Sequence, residues 1–221
     1  MAIEIRNFIE HTILKPEATT AEVKKVVQEA IDNRFLGVCI NPNFVPLAKD
    51  TIELSASHKP KIVTVVNFPL GANKVETTVV QTKQAIEDGA DEIDTVINLG
   101  ALKSGDWVRV GDDIKKTKDA CGEKPLKVIL ETDLLTKDEI ATASEICAKS
   151  GADFVKTSTG FVKGGVGAKV EDVALMYEIV SPFGFNVKAS GGIKTREGAL
   201  ELIEAGATRL GTSSGLDLIK E

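Results

Sequence analysis

Ser150-Gly151-Ala152-Asp153-Phe154-Val155-Lys156-Thr157-Ser158-Thr159-Gly160 holds one full repeat of the architecture of this chain. Gly151 closes an amphipathic run over Lys137–Lys149, where a left-handed C-cap suits glycine. Asp153–Thr157 then reads as a short buried strand, and Gly160 opens the loop toward the next helical run. Strand alternation puts Phe154, Lys156 and Ser158 on one face and Val155 and Thr157 on the other. The helix–Gly-Ala–strand junction recurs at Asp88-Gly89-Ala90-Asp91 and Ala205-Gly206-Ala207-Thr208, a weak internal repeat of the kind βα units leave. Lys156 is the anomaly, because a lysine in mid-strand is costly unless it is paired or used.

Working outward, short β-like runs alternate with helical ones along the whole chain. The spacing predicts strands over His11–Leu14, Gly37–Ile40, Lys61–Asn67, Glu92–Ile97, Lys127–Glu131, Asp153–Thr157, Asn186–Ser190 and Arg209–Thr212. Between them it predicts helices over Thr20–Arg34, Asn43–Ala56, Lys74–Asp88, Asp106–Ala120, Lys137–Lys149, Lys169–Val180 and Thr195–Glu204, with a last turn near Ser213–Lys220. Thr136 and Glu139 form a capping-box pattern ahead of one of them. Eight strands each followed by a helix, with no linker or low-complexity stretch, predict one domain over residues 1–221, an α/β (β/α)₈ barrel of the TIM type. Residues 2–9 are expected to form a short helix under the barrel. An open doubly wound sheet is the competing fold, but its glycine-rich fingerprint after the first strand is replaced here by Leu14-Lys15-Pro16-Glu17.

In a barrel the inward residues alternate with helix-facing ones, and the active site lies at the C-terminal ends of the strands. Phase then makes Lys156, Lys188 and Asp94 inward, together with Lys127 and Glu131. Neighbouring strands lie about 4.8 Å apart, so Lys156 and Lys188 can bring their ammonium groups together. Two like charges in one cavity are expected to push one lysine pKa well below its free value of about 10.4. A neutral lysine amine attacks a carbonyl to form a Schiff base, and an aspartate nearby supplies an acid/base. A single strand lysine is more often a rim ion-pair partner than a nucleophile; two lysines and an aspartate in matching phase favour catalysis.

Glycine turns add a second feature. Ser190-Gly191-Gly192 follows the seventh strand and Gly211-Thr212-Ser213-Ser214-Gly215 the eighth, where barrel enzymes often hold phosphate on exposed backbone N–H groups. Gly160 and the loop Phe161–Gly165 can close over the same place. His11 and His58 form no triad, and His58 reads as a surface-loop residue. Cys39 reads as a small buried thiol near the site mouth, and Trp107 as part of an amphipathic helix.

Composition narrows the remaining classes. The 221 residues are 43% hydrophobic and 27% charged, ordinary for a soluble globular chain. A net charge of −6 argues against broad electrostatic binding to nucleic acid or an anionic membrane. Three scattered cysteines suit a reducing cytoplasm better than a disulfide framework or a zinc site. Residues 1–6 show no secretory pattern, and no apolar stretch nears the roughly 20 residues of a membrane span.

The chain resembles the deoxyribose-phosphate aldolases, class I Schiff-base enzymes of the (β/α)₈ class. The matching segments are His11–Pro16, Val38–Pro42, Glu92–Asn98, Lys127–Thr132, Phe154–Gly160, Val187–Gly192 and Arg209–Ser214, in order over nearly the whole chain. The resemblance implies reversible cleavage of 2-deoxy-D-ribose 5-phosphate to D-glyceraldehyde 3-phosphate and acetaldehyde, in deoxynucleoside catabolism, without metal or other cofactor. It implies Lys156 as Schiff-base nucleophile, Lys188 as the lysine that lowers its pKa, and Asp94 as proton relay. It places Gly160, Gly191, Gly192, Gly211, Ser213 and Ser214 around the phosphate, with Thr12 and Thr159 on substrate hydroxyls. A homodimer or homotetramer is expected. Other Schiff-base sugar-phosphate aldolases or transaldolases, and a non-catalytic sugar-phosphate-binding barrel, are the alternatives. Two departures stand out: Glu10 replaces the family's usual aspartate before His-Thr, and the only tyrosine, Tyr177, lies in a predicted helix rather than in the tyrosine-ended tail of some members.

Overall fold

The structure, a computed structural model, describes residues 3–220. Eight parallel strands close on themselves in chain order: β1 (Ile9–Ile13), β2 (Gly37–Ile40), β3 (Lys61–Val66), β4 (Glu92–Val96), β5 (Leu126–Ile129), β6 (Phe154–Lys156), β7 (Asn186–Ser190) and β8 (Ala207–Thr212). The helices outside them are α1 (Thr20–Asp32), α2 (Val45–Glu53), α3 (Val75–Asp88), α4 (Leu99–Lys103), α5 (Trp107–Cys121), α6 (Lys137–Lys149), α7 (Val170–Val180), α8 (Arg196–Glu204) and α9 (Gly215–Leu218). This is the expected (β/α)₈ barrel, and β1 pairing with β8 leaves no sheet edge for a doubly wound alternative.

The helix ends follow the local chemistry. Thr136 caps α6 through a capping box with Glu139, and Thr19 and Glu22 do the same for α1. Gly89, Gly151 and Gly206 all take the positive φ that the repeated helix–Gly-Ala–strand junction requires.

Several expectations are corrected at their boundaries. Residue 2 lies outside the described residues, and the expected N-terminal helix is a single 3₁₀ turn, Ile5–Phe8, because the chain already enters β1 at Ile9. Strand β5 stops at Ile129, so Glu131 is not an inward strand residue; it follows the strand in a left-handed conformation (φ 61°). Helix α4 escapes periodicity altogether, being five residues with Gly100 inside, nucleated by the Asn98 side chain accepting from Ala101 N–H. Strand β8 starts two residues early and carries a bulge against Val187 and Lys188, which skips Thr208 and sets Arg209 opposite Lys188.

Two separate interiors result. Between strands and helices lies one continuous apolar layer, including Ile93, Val128, Val155, Val187 and Leu210 from the outward strand faces. Inside the barrel, where branched apolar side chains usually fill the space, only Leu14, Cys39, Val63 and Val65 form a small apolar cluster, with Phe68 against it. Much of the rest of that interior is charged, around the Phe154 ring.

Candidate active site

Register builds the site. Lys156 sits opposite Lys188 on neighbouring strands, Asp94 opposite Lys127, and Lys188 opposite Arg209. All three lysines and Asp94 are at most 2% exposed. Asp94 joins them: its Oδ2 accepts from Lys156 Nζ at 2.8 Å and from Lys188 Nζ at 2.7 Å, and its Oδ1 accepts from Lys127 Nζ at 3.0 Å. The predicted Lys156–Lys188–Asp94 constellation is therefore assembled.

Sequence reasoning left out the layer beneath it. Glu10 on β1 accepts from Lys188, while its other oxygen makes no hydrogen bond and faces Lys127 at 3.6 Å and Arg209 at 3.7 Å. Glu92, two residues before Asp94 on β4 and so in the same inward phase, pairs with Lys127 at 2.7 Å and with Lys61 at 2.7 Å. That phase was the available signal for Glu92. Arg209, one residue before outward-facing Leu210 and so in inward phase, was missed as well, and lies with Lys127 over the Phe154 ring. The inward face thus carries four cations, Lys127, Lys156, Lys188 and Arg209, against three carboxylates, Glu10, Glu92 and Asp94.

This balance changes the expected electrostatics. Burial opposes a charge on Lys188, but the carboxylates of Asp94 and Glu10 outweigh it and raise its pKa, so Lys188 stays an ammonium. Burial likewise disfavours the Lys127 charge, and Asp94 and Glu10 again more than compensate. Burial pushes the Asp94 carboxyl upward, yet Lys127, Lys156 and Lys188 together hold it well below the usual carboxylate range. Lys188 and Asp94 therefore rest as a charged pair beside Lys156. Cys39 lies in the same interior, its thiol held neutral by burial.

Above the network lies a cavity of about 530 Å³ at the C-terminal ends of the strands. Lys156 lines it; Lys188, Lys127 and Asp94 do not. The same cavity is lined by Gly160, Gly191, Gly192, Gly211, Ser213 and Ser214, and by Thr12 and Thr159. The two threonine hydroxyls are already engaged, Thr12 donating to the Glu10 carbonyl at 2.8 Å and Thr159 donating to Glu131. Lys194, which sequence reasoning missed, adds a cation to the wall beside Gly191 and Gly192.

The loop over this mouth is held at both ends by the β5–α6 connection. Glu131 takes the Thr159 N–H at 3.0 Å, and Asp133 takes the Gly167 N–H at 2.8 Å and pairs with Lys169 at 3.3 Å. Gly167 passes so close to Gly191 that an added Cβ would lie 2.4 Å from its carbonyl, so the two turns fit only as glycines. Phe161 from this loop meets Phe68 edge-on across the mouth, with ring centres 5.3 Å apart.

The histidines play different parts. His11 lines the edge of the same cavity, its ring bonded to Glu29 at 2.8 Å and edge-on to Phe35; His58 is a partly buried loop residue on the Phe35 carbonyl. Trp107 opens α5, about half exposed, and Tyr177 on α7 packs beneath Gly206. The single grouping of metal-ligating side chains among the described residues is Glu10, Cys39 and Asp94, and the Lys188 ammonium bonds two of the three. The donor set therefore suits a lysine cation rather than a metal ion.

Residues 7–221 match the family model described as DeoC/LacD family aldolase. A deoxyribose-phosphate aldolase of Streptococcus gordonii is 50% identical over 99% of this chain and 96% of its own length. The solved structure of an aldolase designated QR15 superposes with a TM-score of 0.91 at 39% identity, covering 98% of this chain and 95% of that one. The tetrameric deoxyribose phosphate aldolase of Aeropyrum pernix superposes with a TM-score of 0.82 at 31% identity, covering 97% and 88%.

Proposed function

The chain belongs to the DeoC/LacD family aldolases, and on that premise we propose that it reversibly cleaves 2-deoxy-D-ribose 5-phosphate to D-glyceraldehyde 3-phosphate and acetaldehyde through a Schiff base on Lys156. The observation that carries the reading is that Lys156 alone of the three buried lysines reaches the cavity, while its ammonium partner Lys188 stays charged behind it. The Lys156 amine, once neutral, is the nucleophile that can meet a carbonyl in that cavity.

In this reading the Lys156 amine adds to the substrate aldehyde carbon, and loss of water leaves an iminium. The substrate 3-hydroxyl gives up its proton to Asp94, directly or through a water. The bond between carbons 2 and 3 then breaks, its electron pair moves into the iminium, and D-glyceraldehyde 3-phosphate departs. The enamine left on Lys156 takes a proton at carbon 2, and water releases acetaldehyde and the free lysine. Lys188 stays charged and helps to orient the amine, while Asp94 carries the proton. No step draws on a metal, so we expect the reaction to survive chelation; loss of activity with EDTA that added metal restores would point to a metal-dependent aldolase.

The phosphate fits the far wall. Gly191, Gly192, Gly211, Ser213 and Ser214, with Gly160 above and the Lys194 cation beside them, line the part of the cavity that would take an anion. Thr12 and Thr159 shape the middle of the cavity for the substrate hydroxyls. We further propose a cytoplasmic role in deoxynucleoside catabolism and a homodimeric or homotetrameric assembly. Among the described residues no helix is long and apolar enough to cross a membrane.

Borohydride reduction in the presence of acetaldehyde tests the chemistry. The expected product is a two-carbon adduct on the peptide containing Lys156, with no adduct from dihydroxyacetone. Capture with dihydroxyacetone instead would assign the site to another Schiff-base aldolase or a transaldolase, and no capture with either would leave a sugar-phosphate-binding barrel.

A further inference from the structure

The three buried lysines differ in how many carboxylates surround them. Lys127 lies within ion-pair distance of Glu10, Glu92 and Asp94, Lys188 of Glu10 and Asp94, and Lys156 of Asp94 alone. Asp94 is common to all three, so it cannot tell them apart. Glu10 can, because it reaches Lys188 and Lys127 but makes no ion pair with Lys156. We propose that Glu10 is a positioning residue that selects the nucleophile, by fixing a proton on Lys188 so that Lys156 is the lysine left to react.

The surroundings of Glu10 suit that task. It is fully buried, and its charge has no solvent outlet. Lys188 on β7, Arg209 on β8 and Lys127 on β5 face it. Asp94 on β4 and Cys39 on β2 place ligand atoms within 4.8 Å of its own, and the thiol is held neutral by burial. Strand β3 presents Val63 and Val65, which do not titrate. One Glu10 oxygen is spent on Lys188, and the other lies between Lys127 and Arg209 without a hydrogen bond. A glutamate spans from the upper lysine to this lower cation layer. Its side chain thus serves two layers at once.

The inference rests on the Schiff-base reading, and its test separates the two. The rate of borohydride trapping of acetaldehyde on Lys156 is followed against pH in the wild-type protein, in Glu10→Gln, in Lys188→Leu and in the double variant. If Glu10 acts by holding the Lys188 proton, its neutralisation weakens the cation beside Lys156. Lys156 then keeps its own proton longer, and the pH needed for trapping rises. A displacement of about one pH unit, or about a tenfold loss of trapping rate near pH 7, is expected.

The opposite sign, or no shift, overturns the proposal, since simple loss of an anion near Lys156 would lower the pH requirement. In Lys188→Leu the added Glu10→Gln change is expected to move the profile no further, and a further displacement overturns the proposal. That comparison remains available if Glu10→Gln alone does not fold, because removing both members of a buried pair is better tolerated than removing one. Absence of any adduct in the wild-type protein would instead sink the aldolase reading itself.

Discussion

The layer between strands and helices and the space inside the barrel are both largely buried, yet they are built on opposite terms. The outer layer is a continuous set of aliphatic side chains, each interchangeable with others of similar volume. The inner space holds three lysines, an arginine and three carboxylates, whose worth depends on each partner being present. Apolar packing degrades gradually when a methylene is lost, whereas a buried ion network fails when one charge is stranded. The outer layer therefore supplies stability, and the inner network holds reactive charges in place.

The largest effect should come from the one inner residue that meets the cavity. Lys156→Ala is expected to abolish borohydride trapping and to lower kcat by at least about a thousandfold, the scale seen when a covalent nucleophile is removed. Its stability cost should be small, because Asp94 keeps Lys127 and Lys188. Steady-state assay together with thermal unfolding checks both halves. A variant that kept most of its activity would break the division between the two interiors.

Next comes a charge that never touches substrate. Lys127→Met takes one cation from three buried carboxylates at once, leaving Glu92 only the half-exposed Lys61, and is expected to cost about 3–5 kcal/mol in urea unfolding. Adding Glu92→Leu should recover part of that loss. A single-variant cost below about 1 kcal/mol would mean that the inner network behaves like packing after all.

Acid should dissect the same network without mutation. Burial pushes the Glu92 carboxyl up, but Lys127 and Lys61 outweigh it and lower its pKa from an ordinary 4.5 to about 2. Its stabilisation is thus complete above pH 4.5, shrinks as pH falls, and is gone near pH 2. The difference corresponds to about 3 kcal/mol. Urea midpoints measured from pH 6 down to pH 2 should fall steeply in the wild-type protein and less so in Glu92→Gln. Equal slopes would remove Glu92 from the explanation.

The two regions were also unequally legible in the sequence. The outer layer announces itself through period: Ile93, Thr95 and Ile97 mark one face of β4, and Val23, Val27, Ala30 and Ile31 mark one face of α1. Inward phase found Lys156, Lys188, Asp94 and Lys127, because a charged residue between apolar neighbours is conspicuous. Phase carries no information on which strand faces which across the barrel, so neither Glu10 nor Arg209 was seen to join the Lys188 network, and the bulge that skips Thr208 left no trace in the pattern. The like-charge argument predicted crowding correctly but omitted the carboxylates that decide where each proton stays.

The smallest effect belongs to the outer layer and sharpens the contrast. Ile93 neighbours Asp94 on β4, is fully buried, and points toward the helices rather than into the barrel. Ile93→Val removes one methylene from a close-packed layer and is expected to cost about 0.5–1.5 kcal/mol. Asp94 is held by three lysines from β5, β6 and β7, so a slight repacking behind β4 should not move its carboxylate. The trapping rate on Lys156 and its pH dependence should therefore match the wild type while the unfolding midpoint drops. If instead the pH profile moved with the loss of one outer methyl group, the network would take its geometry from the helix-facing layer, and the two interiors would be one mechanical unit.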